Sequence, residues 1–149
     1  MLAQRKLLDL ILADLQAGPP VAGGNIQRQV GRPLAAGTSQ MVTLRLVRSR
    51  GNPIMLGGDS PIEWQTLVGI GCVARAATGQ TPDEAVADLL AAVHARVAGS
   101  TALATAGYRV HPEHHLEWDQ DELEDRIGAV IAIYTVRHLS AITNLEPAA

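Results

Sequence analysis

One continuous stretch, from Ile62 to Val97, constrains the fold of this chain more than any other feature of the sequence. Its first half is a long apolar segment, Ile62 to Arg75. Large apolar and polar side chains alternate near Trp64, and apolar or small residues follow one another without a break around Cys72. This pattern predicts a strand that is buried on one side near Trp64 and on both sides near Cys72.

The second half of that stretch carries a specific helix start. Thr81 can act as the N-cap, Pro82 suits the first helical position, and Glu84 completes a capping box. Apolar side chains then follow at helical spacing until Gly99: Val86, Leu89, Leu90, Val93 and Val97. The sequence therefore predicts an amphipathic helix that packs its apolar stripe against a sheet.

Periodicity predicts the remaining elements. They are a helix over Leu2–Ala17, a weak edge strand within Gly23–Val30, and strands over Met41–Val47, Tyr108–Leu116 and Arg126–Leu139. Pro112 places its strand at a sheet edge, because proline cannot donate a ladder hydrogen bond. Hairpins dominate this order. It predicts an α+β fold with a mainly antiparallel or mixed sheet of about four to five strands and two main helices packed on one face.

Length and composition narrow the class of protein. A chain of 149 residues predicts a single domain over 1–149, with residues 140–149 as a frayed C-terminal tail. Cys72 is the only cysteine, so we expect a buried free thiol and a reducing compartment. The net charge of −3 and the few aromatic residues argue against sequence-specific nucleic-acid binding. No segment approaches the roughly 20 apolar residues of a membrane span, so no membrane partner is expected.

Two segments are candidate interface elements. The first is the predicted loop Arg48–Pro61 with the strand end before it, which together carry Arg45, Arg48, Arg50, Ile54, Met55, Leu56 and Asp59. A solvated loop does not normally expose three apolar residues in a row. The triplet 54–56 therefore either folds back onto the core or docks on a partner.

The second candidate is the acidic run that ends at Asp125 and includes Asp119, Asp121, Glu122 and Asp125. It lacks the glycine and the spacing of an EF-hand loop. It is either a solvated turn or an electrostatic docking patch. Combined with the arginines of the other segment, it suggests complementary edges on neighbouring subunits, where one copy's arginines meet the next copy's acidic turn.

The residues His111, His114 and His115, with Glu113 between them, have the composition of a metal site but not its spacing. Adjacent side chains on a strand point to opposite faces, so we expect His114 and His115 to diverge. A solvated polar strand edge is the simpler interpretation. The glycines and serines stand in no nucleotide-binding or nucleophile-elbow context, so the sequence predicts no catalytic residue, metal or cofactor.

The order and type of several segments resemble a known family. They are the amphipathic helix Arg5–Leu15, the strand and arginine-rich loop Leu44–Gly51, and Glu63-Trp64-Gln65-Thr66 running into Cys72–Arg75. The alanine-rich helix Thr81–Val97 and the closing strand Ala129–Val136 complete the set. With them the chain resembles the tail terminator (minor tail protein U-like) proteins of long-tailed bacteriophages and prophages.

The resemblance implies a structural virion protein that is not an enzyme. Its copies, which can be monomeric when free, would assemble into a hexameric ring, cap the tail tube, stop tube polymerisation and provide the head-attachment surface. The implied partners are further copies of itself, the major tail tube protein and a head–neck connector protein. The implied location is the host bacterial cytoplasm during assembly and then the virion tail.

Three other hypotheses stay open at the level of sequence. The first is a head–tail connector or another neck or tail completion protein, which would also lack chemistry. The second is a small metal-dependent enzyme that uses His111, His114 and His115. The third is a small-molecule-binding α+β domain.

Overall fold

The computed structural model describes residues 1–28, 34, 37–54, 60–119 and 126–147. The helices are α1 (Ala3–Gln16), α2 (Pro82–Ala98) and the short α3 (Thr101–Thr105), with a 3₁₀ turn at Val21–Gly24. The strands are β1 (Ile26–Gln27), β2 (Gln40–Pro53), β3 (Ile62–Arg75), β4 (Arg109–Asp119) and β5 (Ile127–Ser140).

The strands form one five-stranded mixed sheet in the order β1-β2-β3-β5-β4. The short β1 pairs parallel with β2, and the other three pairs are antiparallel. Both α1 and α2 contribute their buried residues to the same core as one face of this sheet. The predicted α+β class, with a mixed sheet of five strands and two main helices on one face, is confirmed.

Helix α2 begins as its sequence predicts. The Thr81 hydroxyl accepts a hydrogen bond from the backbone N–H of Glu84, whose carboxylate accepts one from the backbone N–H of Thr81, so the capping box is complete. The start of the helix lies close against β5. A side chain at Gly128 would run into the backbone carbonyl of Pro82, so this glycine permits the close approach of helix and strand.

Helix α1 is held at its C-terminal end by α2. The Arg96 guanidinium of α2 donates hydrogen bonds to the backbone carbonyls of Asp14, Ala17 and Pro19, at and just beyond the last turn of α1. These are carbonyls that a helix end leaves without an internal partner. A cation at this end also complements the helix dipole, so Arg96 ties the two helices together.

The two sides of the sheet differ in how they are covered. Along β5, residues alternate between fully buried and partly exposed from Ile127 to Thr135. The buried side, which we call the helix face, includes Val68, Ile70 and Tyr134 under α1 and α2. The other side, which we call the open face, carries Leu67, Val73, Ile127, Ala129, Ile131 and Ile133, all partly exposed.

Strand β2 is longer than predicted. The sequence predicts a strand ending at Val47 and a loop from Arg48, but β2 continues to Pro53 and pairs with β3 back to Ile62. That part of the loop prediction is wrong. Polar residues are tolerated in this half of the strand because its side chains are exposed to solvent.

The C-terminal segment contacts the start of the chain. Ser140, where the sequence predicts the frayed tail to begin, is instead the fully buried last residue of β5. The N–H of Ala3 donates to the carbonyl of Leu145 at 3.0 Å, and the N-terminal ammonium lies 3.2 Å from the Glu146 carboxylate. Leu145 and Glu146 therefore lie against the beginning of α1, and residues 148–149 fall outside the described part.

Among the described residues, the stretch Pro82–Thr105 is long and apolar enough, by length and composition alone, to cross a membrane. In the structure it comprises α2 and α3, which are separate helices. The apolar stripe of α2, with Val86, Val93 and Val97, is buried in the core.

Candidate interaction surface

The three predicted arginines all lie on the open face of β2. Arg45 is opposite Gly69, Arg48 opposite Leu67 and Arg50 opposite Gln65. Residues 45 and 48 are an odd number of positions apart, so plain alternation would send their side chains to opposite faces. A β-bulge between Leu46 and Arg48 adds one residue and returns Arg48 and Arg50 to the face of Arg45.

Two further arginines, which the sequence analysis missed, join them. Arg137 of β5 is opposite Gln65 of β3, and Arg109 of β4 is opposite Arg137. A single row therefore crosses four strands as Arg50, Gln65, Arg137 and Arg109. Alternation along the predicted last strand could have put Arg137 on the face of Ile133, but only long-range pairing brings the arginines side by side.

We call the five residues Arg45, Arg48, Arg50, Arg109 and Arg137 the arginine surface. They are five of the 12 cationic side chains of the chain, and all are exposed. In the described part of the protein none of them makes an ion pair or a side-chain hydrogen bond. Like charges that face each other across strands repel. Exposed Glu63 lies on the same face, beside the row of Arg50 and Arg137, and offsets these charges only in part. The surface therefore has a net positive potential that favours an anionic partner.

The acidic residues flank the other end of the sheet. Glu117 and Asp119 of β4 occupy register positions opposite Ile131 and Ala129, on the side of the open face. From Ala129 to Arg137 along β5 is eight steps, or about 27 Å at the rise of an antiparallel strand. That span separates Arg137 from Asp119. Arg45 lies in the row of Ile133, two positions from the row of Glu117 and three strand spacings, or about 14 Å, across the sheet. Even these two charges are farther apart than a Debye length of about 8 Å, so they largely fail to neutralise each other within one chain.

Several predicted interface residues lie outside the described residues: Met55, Leu56, Asp59, Asp121, Glu122 and Asp125. Ile54 is described and is 50% exposed, and its N–H donates to the carbonyl of Pro61 at 3.2 Å. Of the apolar triplet, Ile54 alone is thus placed, and it lies at the surface.

Exposed apolar side chains are also found on both outer long strands. Leu46 and Val47 of β2 are 39% and 43% exposed, and Leu116 and Trp118 of β4 are 43% and 45% exposed. Leu46, Leu116 and Trp118 lie on the helix face by register, where they are opposite Val68, Ala132 and Val130. The helices leave both margins of this face exposed.

The histidines of β4 diverge as predicted for adjacent strand residues. His114 lies on the helix face, with its ring centroid 4.7 Å from that of His94 and 5.1 Å from that of Tyr134. His115 lies on the open face, 3.9 Å from the Glu117 carboxylate. Desolvation, reinforced by the neighbouring His94 and His111, lowers the pKa of His114. Among the described residues, no three His, Cys, Asp or Glu side chains are grouped so that they could hold a metal ion.

A partly buried chain of polar side chains, which the sequence analysis missed, links three strands. The Ser49 hydroxyl is 2.8 Å from that of Thr66, which is 2.7 Å from Nε2 of His138. Burial lowers the pKa of His138 to about 4, so its imidazole is neutral at pH 7. Because Thr66 stands between His138 and Ser49, the histidine cannot activate the serine directly, and the chain serves to join β2, β3 and β5.

The lone thiol is in the core, as predicted. Cys72 is fully buried on the helix face, and burial raises its pKa to about 12. A neutral thiol without solvent access does not act as a nucleophile at pH 7.

Comparison of the chain with protein-family models finds no matching family, and comparison with curated proteins finds no match.

Proposed function

We propose that this chain is a structural assembly protein of the tail terminator type, whose copies associate head to tail into a ring that caps a phage tail tube. The observation that carries the proposal is the separation of charge along one sheet. Arg109 and Arg137 lie at one end of the open face, and Glu117 lies on β4 toward the other end. Each end fits the opposite end of a neighbouring copy.

A repeated head-to-tail contact of this kind generates a ring when its rotation closes. The partly exposed apolar residues in the middle of the open face, including Ile131 and Ile133, offer additional area to bury in such an assembly. The proposed partners are further copies of this chain, the major tail tube protein and a head–neck connector protein. The proposed location is the host bacterial cytoplasm and then the virion tail.

The test is electron microscopy of the cognate tail tube protein as it polymerises with and without this protein. The proposal expects ring-shaped density at tube ends and shorter tubes when the protein is present. Tubes of equal length with bare ends would contradict it. Binding to a portal-side neck protein, with the tubes unaffected, would instead support a head–tail connector.

Charge reversal makes this test specific. The double variant Arg48→Glu/Arg50→Glu should lose ring formation, because it places acids where the proposal needs cations. The double variant Arg5→Glu/Lys6→Glu on α1 has the same change in net charge at a site away from the sheet and serves as the matched control. Rings that survive the first variant as well as the second would contradict the proposed contact.

A further inference from the structure

Both margins of the sheet end in a long strand whose outer edge is largely unpaired by the described residues. On one side β1 covers β2 only at Val42 and Thr43. On the other side β4 is the last strand of the sheet. Unpaired edges present backbone donors and acceptors to any suitable strand, and proteins usually blunt them with charges, proline or bulges.

The outward-facing backbone groups of β2 follow from its contact with β1. The N–H of Val42 donates to the carbonyl of Asn25 at 3.0 Å, so residue 42 directs its backbone groups outward. Backbone groups alternate in direction along a strand, so those of Leu44 and Leu46 also point outward. Both residues have their side chains on the helix face.

The same reasoning applies to β4, starting from β5. The carbonyl of Arg126 accepts a hydrogen bond from the N–H of Ala76, so the backbone groups of Arg126 face the β3 side. Because backbone groups alternate in direction along a strand, those of the odd-numbered residues of β5 from Ala129 onward face β4. Their partners in the last part of β4 are His115, Glu117 and Asp119. The residues that alternate with these partners are His114, Leu116 and Trp118. Their backbone groups face outward, away from β5, and their side chains lie on the helix face.

The outer edges of β2 and β4 are therefore compatible. At both edges the residues whose backbone groups face outward carry their side chains on the helix face. In a neighbouring copy of the same orientation, β2 runs antiparallel to β4. Pairing them places Leu116 and Trp118 beside Leu46 on the helix face, where all three are exposed in the single chain. On the open face the same pairing brings the acidic half of β4, with Glu117, toward Arg45 and Arg48.

We propose that copies of this chain join by antiparallel pairing of the outer edge of β4, over residues 114–119, with the outer edge of β2 in the next copy, so that one continuous sheet runs through the assembly. This inference rests on the self-association in the proposed function but not on its role at a phage tail. The occupant of each edge is a second copy, because the opposite edge of the same chain supplies both the apolar and the charged complement.

Disulfide trapping tests the pairing even when the assembly is sparsely populated. The variant Leu46→Cys/Leu116→Cys puts one cysteine on each edge. Opposed residues of an antiparallel pair have Cα atoms about 5.5 Å apart, which suits a disulfide. The native Cys72 is fully buried and does not compete. A second variant, Leu46→Cys/Trp118→Cys, covers the neighbouring register.

Head-to-tail pairing predicts a ladder of disulfide-linked species, since every copy offers both edges. We expect at least one register variant to form it about tenfold faster than Ile142→Cys/Leu116→Cys, whose first cysteine lies at the surface beyond β5, away from β2. No ladder above this control in either register would overturn the pairing. Rapid dimers of Leu116→Cys alone would overturn it in favour of a symmetric β4–β4 contact.

Proline substitutions provide an independent test, with circular dichroism to verify that each variant folds. Leu46→Pro and Leu116→Pro each remove one outward N–H and leave the other edge intact. Each variant alone should fail to form assemblies larger than a monomer, whereas their mixture should form a 1:1 dimer by sedimentation. A mixture that stays monomeric, while the wild type associates, would contradict the pairing.

The two proposals can fail separately. If the disulfide-linked ladder forms but the tubes remain uncapped, the edge pairing is supported and the tail role is contradicted. If the tubes are capped but no ladder forms, the tail role is supported and the edge pairing is contradicted.

Discussion

The two faces of this sheet place the same residue types in different environments. On the helix face, Ile70 is fully buried under the helices, whereas Ile131 on the open face is only partly buried. On the helix face, the polar side chains of Thr66 and His138 are buried and hydrogen-bonded to each other. On the open face, the five arginines are exposed. Stability is concentrated on the helix face, whereas the open face keeps exposed charges and partly exposed apolar side chains.

The largest expected difference comes from the matched substitutions Ile70→Ala and Ile131→Ala. We expect Ile70→Ala to lower the free energy of unfolding by about 4 kcal/mol, because it leaves a cavity under the helices. Ile131→Ala should cost about 1 kcal/mol, since its side chain already meets solvent. Urea unfolding of the isolated chain measures both. Equal losses would mean that the open face is as well packed as the helix face.

The buried histidine should make stability depend on pH. Its folded-state pKa of about 4 lies below the ordinary value near 6.5, so the unfolded chain binds more protons between these values. The free energy of unfolding should therefore have its full value above about pH 6.5 and fall by up to about 3 kcal/mol as the pH drops toward 4. Unfolding curves at several pH values should show this loss.

Histidine substitutions test the origin of that slope. His138→Gln should remove most of the dependence between pH 4 and 6.5, and His114→Gln, which removes the other imidazole whose pKa is lowered, should remove a smaller part. A slope that survives His138→Gln would assign the effect to other groups.

Glycines on the two faces should tolerate a methyl group differently. Gly128→Ala should cost about 2 kcal/mol, because the new Cβ meets the backbone carbonyl of Pro82, which cannot move without the helix. Gly71→Ala meets only the side chain of Thr43, which can rotate toward solvent, so we expect a cost below about 1 kcal/mol. Thermal melts of both variants measure the difference. The reverse order would show that the open face is the more rigid one.

The smallest effect concerns the arginine surface. Arg137→Gln removes one of two like charges that face each other across strands and should raise the stability of the monomer by about 0.5 kcal/mol at low salt. The gain should disappear at high salt, whereas Arg5→Gln should show none. Melting temperatures at two ionic strengths provide the measurement. A destabilised monomer would mean that Arg137 has a stabilising role within the chain.

Most of the elements could be predicted from local signals. The capping box at Thr81, the periodicity of α1 and the alternation of β5 are properties of neighbouring residues, and the structure agrees with each of them. The length of β2 could not be predicted in this way. Its second half is polar and becomes a strand only because β3 pairs with it.

The candidate surface was less predictable than the fold. Proximity in sequence was enough to group Arg45, Arg48 and Arg50, but not to foresee the bulge that aligns them on one face. Arg109 and Arg137 join them through pairs that are 28 residues apart along the chain or more distant still. No local pattern contains that information.

The sequence by itself determined the helices, the buried strands, the neutral core cysteine and the fold class, because these depend on periodicity, capping and hydrophobicity over short spans. Only the tertiary structure decided which strands are neighbours, which edges stay unpaired and which charges share a face. The physical reason is that cross-strand register depends on contacts between distant segments. Those contacts form only when the whole sheet assembles beneath its helices.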